Sequence, residues 1–541
     1  MRLLLIQPPV QDFYDTDVRL QPIGLCYLKA AVQKHHPDCE VVIRDYHAGH
    51  GRRTAAIPRE LADLREYYQV ADKSPFSTFY HYFHFGASFD EIERDVATLQ
   101  PDAVGVSSLF TPYFREALEV AARVKKRARV PLVMGGSHAS AAPESLLASP
   151  HVDYVIRREG EKALVEFLRF LKGEIPLRAV PNLVYKEPGR LAFNPLTENF
   201  PLDDLPFPDL DDFAPDSYTL AGKPMVFLIT SRSCPHKCSF CSVHTTFGTK
   251  YRLRSVDNVL EEIELRYRQG YRVIDFEDDN LTYYKNAFKE LCRHLIARFP
   301  NREMEFVAMN GISYLSLDDE LLELMFEAGF SHLNLALVSS DRTVRETTKR
   351  PHTLKAYLRV VEQAHALGFR IVSYQILGLP NETLNSMKQT LAFNARLPVL
   401  LGASPFYRTP DAPIARGLKL DETEFIRARL TALGVAATGF DRADIYTLFV
   451  TTRIINFLKG LSPSGPANLV DLARQTWPEG RARAGFEVLG RLIRTGKMYF
   501  QTRGGPVENK IFKPDLMRSV FAEARFVRCL NGNSISLHPL A

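Results

Sequence analysis

Three cysteines fall within eight residues in the stretch SCPHKCSFC: Cys234, Cys238 and Cys241, spaced CxxxCxxC. Thiolates gathered on one short loop are metal ligands, and two kinds of centre suit them. A structural zinc takes four protein ligands, so His244, three residues past Cys241, or His236 inside the loop would complete a Cys3His set. An iron–sulfur cluster is held by thiolates alone, and three of them grip three corners of a cubane while the fourth iron stays open to a non-protein ligand. Structural zinc usually staples small domains that lack a core, which weighs against it in a chain of 541 residues. Cysteines that merely fill a core would not be interleaved with Pro235, His236, Lys237 and Ser239. The loop is therefore built for chemistry.

A reactive loop needs a frame. Directly before the cysteines, PMVFLIT reads as a strand, and RVIDFED, EFVAMN, HLNLALV, RIVSYQILG and LLGASPFY follow with helical segments between them. A βα series of this kind places ligands at the C-terminal ends of its parallel strands, which is where the cysteine loop stands. Upstream, RLLLIQ, CEVVIRD, AVGVSSLF, PLVMGGS and DYVIRRE are short, β-branched and nearly continuous in apolar character, as strands buried on both faces are. With IGLCYLKAAVQKH and YFREALEVAARVKK as intervening helices, they predict a doubly wound, flavodoxin-like α/β domain. An insertion from Ala48 to about Ser88 carries the aromatic block FSTFYHYFHF. The proline- and acid-rich NFPLDDLPFPDLDDFAPDS from Asn199 reads as an extended linker, and from about Leu418 the pattern turns helical. The expected division is 1–175, a linker over 176–222, 223–415 for the central unit and 416–541 for a mainly helical C-terminal domain.

Composition excludes several alternatives. A net charge of +5 is thin over this length, and the densest basic run, RVKKRAR from Arg123, closes a helix whose C-terminus cations complement. Arg481, Arg483, Arg491 and Arg494 read as a solvated helix face. No nucleic-acid partner is expected. No apolar run is long enough to span a bilayer, and MRLLLIQPPV reads as a first strand rather than a signal peptide. Seven scattered cysteines form no disulfide framework, so a cytoplasmic location is expected.

The chain resembles the radical S-adenosylmethionine enzymes, specifically their cobalamin-binding-domain class, over roughly residues 1–410. The resemblance rests on the cysteine motif with Phe240 before the third cysteine, on YRLRS (Tyr251–Ser255) and on FEDDNLT (Phe276–Thr282). LGLPNET (Leu377–Thr383) and SPFYRTP (Ser404–Pro410) complete it. It implies a partial, TIM-like βα barrel in which Cys234, Cys238 and Cys241 ligate a [4Fe–4S] cluster. S-adenosylmethionine would chelate the open iron, with Phe240, Asp278, Asp279, Gly378 and Pro405 around it, and its reductive cleavage would give a 5′-deoxyadenosyl radical. Asp278 and Asp279 could equally cap the helix YYKNAFKELCRHL. In LALVSSD, Val338 stands where such families often carry a glutamate.

In the first domain, QPIGL, VGVSSLFTP, VMGGSHASAAPE and VDYVIRREGE resemble the cobalamin-binding fold of this class. Ser107, Ser108, Gly135 and Gly136 are the candidates for the corrinoid surface, because small residues at strand ends admit a flat ligand. The stretch DYHAGHG imitates a DxHxxG cobalt-ligand motif, but His50 replaces its glycine and it follows the second strand. Cobalamin is therefore expected base-off, without His47 on the metal. The aromatic block would shield the lower corrin face, cover the sheet, or form an exposed apolar patch between domains.

The resemblance implies C-methylation of an unactivated carbon, through methylcobalamin and the deoxyadenosyl radical. The rival with the same cofactors is oxidative cyclisation or rearrangement, as in the anaerobic magnesium-protoporphyrin ester cyclase. A non-catalytic iron–sulfur or zinc protein is a third reading. A methylthiotransferase would need three more cysteines in a first domain that has only Cys26 and Cys39. A small-molecule or natural-product substrate and an external one-electron reductant resembling flavodoxin or ferredoxin are the implied partners.

Overall fold

The computed structural model describes residues 1–14, 20–350 and 352–540. Strands β1 (Arg2–Gln7), β2 (Glu40–Asp45), β3 (Ala103–Ser107), β4 (Leu132–Gly135) and β5 (Tyr154–Ile156) run parallel in the spatial order β2-β1-β3-β4-β5. This is the flavodoxin-like order, with its switch point between β1 and β3. Leu3, Leu4, Leu5 and Ile6 are all buried because helices such as α1 (Ile23–His35) and α2 (Phe114–Arg127) cover the sheet. An antiparallel hairpin, β6 (Leu183–Glu187) and β7 (Arg190–Phe193), extends the β5 edge. The span expected as linker from 176 therefore begins as part of the first sheet, turned by Pro188 and Gly189.

The connector from Asn199 is extended yet tightly held. Lys29 of α1 is buried and pairs with Asp209 at 3.1 Å and Asp212 at 2.6 Å. From α3 (Val256–Arg268), Arg266 donates to the Pro208 carbonyl at 2.7 Å. The acidic run thus straps the two domains together instead of leaving them free to swing.

The central domain has six strands: β8 (Lys223–Leu228), β9 (Val273–Phe276), β10 (Glu305–Val307), β11 (His332–Val338), β12 (Arg370–Leu377) and β13 (Leu400–Pro405). They run parallel in two sheets, β8-β9-β10, which Thr219–Leu220 extends antiparallel beside β8, and the three-stranded β11-β12-β13. Parallel bridges Phe306–Phe330 and Ile312–Leu335 join the sheets into an open, partial barrel. Phe276, Phe306 and Phe330 stack in the layer between strands and outer helices, with centroids 5.5–6.0 Å apart.

An open barrel leaves an edge, and the C-terminal domain covers it. Helix α4 (Leu384–Ala395) follows β12, and α5 (Arg442–Lys459), apolar almost all round, packs beside β13. Asn456 of α5 accepts from Leu401 N and donates to Leu401 O, both at 2.8 Å, so its side-chain amide satisfies the edge strand as a neighbouring strand would. Lys459, fully buried, donates to the carbonyls of Ala395, Leu397 and Arg528. The domain is helical, with α6 (Arg481–Thr495), but it also contains a hairpin, Tyr499–Thr502 with Gly505–Glu508, and a small three-stranded sheet. Strands of two to four residues escape a periodicity reading.

The aromatic block fills a seam. Phe76 packs edge-on against Phe457 and Phe79 lies over Phe449, both on α5. Phe83–Phe85 is the middle strand of a small sheet with Val10–Asp12 and Arg52–Thr54. Among the described residues, no helix is long and apolar enough to cross a membrane.

Candidate active site at the strand ends

After β8 the chain passes through Ser231–Arg232, which pairs antiparallel with Arg252–Leu253. This ribbon is a stem, and the three cysteines lie on the loop it closes. Arg232 is buried and binds Glu159 and Glu161 of the first domain, both at 2.6 Å, while Arg252 binds Glu159 at 2.5 Å. Arg254 reaches Glu262 at 2.6 Å and the Ile229 carbonyl at 2.9 Å, and Ser255 caps α3 by accepting from Asn258 N. The YRLRS segment therefore fastens the loop to its surroundings. At the far side, Ser239 N donates to Thr348 O at 3.1 Å and Ile414 N donates to Ser239 O at 2.7 Å.

The cysteines line one wall of a cavity of about 530 Å³ at the barrel mouth. Of the sequence candidates, Phe240, Asp279 and Pro405 line the same cavity. Asp279 accepts from Ser233 N at 3.2 Å, and burial, with Asp278 alongside, raises its carboxyl to about 7. Asp278 is placed differently. It is 2% exposed and accepts from Thr230 N (3.1 Å), the Thr230 hydroxyl (2.7 Å) and the Ser231 hydroxyl, tying the ends of β8 and β9 together. Neither aspartate caps the next helix, which starts at Lys285 behind Tyr284. Gly378 also lies outside the cavity lining, for a Cβ there would meet Ile445 at 3.0 Å and Phe440 at 3.3 Å, both of the C-terminal domain. Val338, in the expected glutamate position, does line the cavity, at a bulge in β11 with φ of 72°.

Three further polar residues stand on this wall. Asn280 Nδ2 donates to Cys234 Sγ at 3.5 Å, and Arg350 Nη1 donates to Cys238 Sγ at 3.6 Å. Gln375 lies on β12, its amide oxygen accepting from Asn394 at 3.0 Å. Among the described residues, Asn280 Oδ1, Arg350 Nε and Gln375 Nε2 are buried without a partner, one acceptor and two donors on one cavity wall. Asn280 sits beside the aspartate pair and could have been suspected, whereas Arg350 and Gln375 gave no signal. His244 turns away, donating Nε2 to the Cys234 carbonyl at 2.7 Å, so the Cys3His zinc set is not assembled through it.

A second cavity, about 300 Å³, opens at the C-terminal ends of β1, β3, β4 and β5. Ser107, Gly135 and Gly136 line it, with aliphatic walls that include Leu5, Val133 and Ile156. A Cβ on Gly135 would meet only the Ile156 carbonyl, at 3.8 Å. Gly136 has φ of 119°, and a Cβ there would lie 2.6 Å from Ser108 O, so this glycine is required by backbone approach alone. Ser108, 2% exposed and with its hydroxyl unpartnered among the described residues, lines a neighbouring cleft with Leu109 and Phe110. His47 lines neither space and lies beyond the edge strand β2, its N–H on Asp45 at 2.9 Å. A third cavity of about 340 Å³ shares Ser242, Tyr407 and Thr409 with the cysteine cavity and Leu109 and Ser137 with the slot.

The model of the radical SAM superfamily matches residues 228–393, and that of the B12 binding domain matches 76–168. The chain is a radical S-adenosylmethionine enzyme with a B12-binding domain. The enzyme is 26% identical over 407 residues to an uncharacterized methyltransferase of Pyrococcus horikoshii, covering 74% of this chain and 79% of the relative. It is also 26% identical over 417 residues to the cytidylyl-2-hydroxyethylphosphonate methyltransferase of Streptomyces wedmorensis, covering 70% and 73%. Its fold matches that of the cobalamin-dependent S-adenosylmethionine radical enzyme OxsB, solved with aqua-cobalamin and S-adenosylmethionine, at a TM-score of 0.61 and 14% identity, covering 91% and 72%.

The cofactors of this radical SAM enzyme are a [4Fe–4S] cluster, S-adenosylmethionine and cobalamin. The residues present fit all three. Three thiols share one wall, two of them with N–H donors of the kind that tune cluster sulfurs. Unpartnered buried donors and an acceptor beside them suit a ligand carrying both an amino and a carboxylate group. The slot is largely apolar, as a benzimidazole requires.

Proposed function

We propose that the enzyme is a C-methyltransferase that acts on an unactivated carbon of a small molecule. When bound, the cluster and S-adenosylmethionine supply a hydrogen-abstracting radical, and cobalamin supplies the methyl group. The observation that carries the reading is the 340 Å³ cavity between the two cofactor regions. A substrate seated there reaches both without leaving the protein, which converts a two-centre reaction into a positional one. In this reading Cys234, Cys238 and Cys241 hold the cluster, while Asp279, Asn280, Arg350 and Gln375 orient the amino acid end of S-adenosylmethionine. Phe240, Val338 and Pro405 exclude water from it. Ser107, Ser108, Gly135 and Gly136 border the corrinoid, and an external one-electron donor serves the cluster. The units that carry these roles are a first domain that runs through the β6–β7 hairpin to Phe193, the barrel over 223–415 and the C-terminal domain over 416–541, with the strap between the first two.

The test is a turnover assay with S-adenosylmethionine deuterated in its methyl group, run under a strong reductant. Methyl transfer gives labelled product with 5′-deoxyadenosine and S-adenosylhomocysteine in equal amounts. Formation of 5′-deoxyadenosine without S-adenosylhomocysteine would replace the proposal with cyclisation or rearrangement.

A further inference from the structure

Arginines crowd the junction between the corrinoid slot and the cysteine loop, and nearly all are committed. Arg232 is held by Glu159 and Glu161, and Arg252 by Glu159. Arg157 donates to the Asn194 carbonyl at 2.8 Å and lies over the Phe193 ring. Arg158 stands apart from these. Its backbone N–H donates to the Ser140 hydroxyl at 2.7 Å, but among the described residues its guanidinium has no acidic partner and no hydrogen bond. It is a wall residue of both the apolar slot and a polar cavity of about 540 Å³ that opens beside it. Its φ is 63°, the left-handed region that a branched or long side chain enters at a cost. A strained backbone thus presents a free cation at the rim of a largely apolar slot, whose other charged wall residues, Arg232, Glu159 and Glu161, are paired with one another or with Arg252.

Cobalamin has one feature that this arrangement fits. Its base hangs from the corrin by a nucleotide loop whose phosphodiester is the only formal anion of the tail. With the flat base in the slot, that anion must lie at the rim, where desolvation makes an unpaired charge costly and a guanidinium partner strongly favourable. We infer that Arg158 clasps the phosphodiester of the cobalamin nucleotide loop, so that the enzyme selects complete corrinoids over those lacking the tail. The inference rests on cobalamin occupying the first domain with its base in the slot. It makes Arg158 a specificity-determining residue for the cofactor rather than a catalytic one.

The test compares hydroxocobalamin with cobinamide, which has the corrin but no phosphodiester, ribose or base. Dissociation constants are read by absorbance titration of the full-length protein, without turnover. Arg158→Gly removes the guanidinium and leaves a residue at ease with the left-handed backbone, and Arg158→Lys keeps the charge. Cobalamin affinity is expected to fall about tenfold or more in Arg158→Gly, as for loss of a charge-assisted contact, and to recover most of that loss in Arg158→Lys. Cobinamide affinity is expected to stay unchanged across all three proteins. Equal weakening toward both corrinoids, or no weakening toward cobalamin, would overturn the clasp. Failure of the wild type to bind either corrinoid would instead overturn the cofactor reading beneath it, and the clasp with it.

Discussion

Arg350 holds Nη1 3.6 Å from the sulfur of Cys238, so a buried cation donates into the ligand that the proposed cluster uses on that side. Its other branch is fixed by the Ala336 carbonyl at 2.6 Å, which keeps the donor aimed. N–H donors and positive charge near cluster sulfurs favour the reduced state. Arg350→Met should therefore shift the cluster potential to more negative values, by on the order of tens of millivolts, with Arg350→Lys in between. An anaerobic redox titration followed by electron paramagnetic resonance reads the shift. A potential that does not move would remove Arg350 from the cluster's surroundings.

The cysteine loop distinguishes its metal by which side chains it can spare. Alanine at Cys234, Cys238 or Cys241 should abolish the brown absorbance near 400 nm after anaerobic reconstitution, and with it reductive cleavage of S-adenosylmethionine. His244→Ala should retain iron and sulfide in equal amounts, because His244 is engaged with the Cys234 carbonyl. Metal analysis finding zinc in the wild type, lost on changing His244, would reinstate the Cys3His reading.

The GLPNET turn carries a pH dependence. Glu382 is buried, accepts from Gly378 N at 2.9 Å and Leu379 N at 3.0 Å, and leaves Oε1 unpartnered among the described residues. Burial raises its carboxyl from 4.5 to about 8, so the folded chain holds a proton that the unfolded chain releases between those values. Stability from this residue is complete below about 4.5 and is lost as pH rises toward 8, a change on the order of a few kcal/mol. Denaturation midpoints measured from pH 5 to 8 should fall in the wild type relative to Glu382→Gln, which carries no titrating proton. Parallel profiles would show that Glu382 is ionised throughout.

Two adjacent glycines should behave oppositely. Gly136→Ala forces a Cβ to 2.6 Å from Ser108 O at a φ of 119°, which should cost about 1–3 kcal/mol of stability. Gly135→Ala meets only a carbonyl at 3.8 Å, so its stability should stay within about 1 kcal/mol of wild type. Its methyl group nevertheless borders the slot and should weaken cobalamin binding. Thermal melts and absorbance titrations on both variants separate the two effects.

Strands were the most legible part of the fold. HLNLALV is β11 residue for residue, because a continuous apolar run between turn signals leaves little choice of register. The β6–β7 hairpin was hidden inside a proline-rich stretch, and the small C-terminal sheets are too short to show a period. In the site, cysteine spacing is a local signal and survives in one dimension. Asp278 and Asp279 are consecutive, and consecutive residues leaving a strand point to opposite sides, so sequence could not say which one enters the cavity. Arg350 and Gln375 acquire meaning only when β11 and β12 bring them beside a loop more than a hundred residues upstream.

Arg232 marks where the cysteine loop leaves the barrel, and its two acidic partners belong to the wall of the corrinoid slot. One buried side chain is thus the common footing of both metal centres. The two cofactor sites would then be held apart like the jaws of a locked caliper, and a molecule entering from solvent would be gauged against that gap.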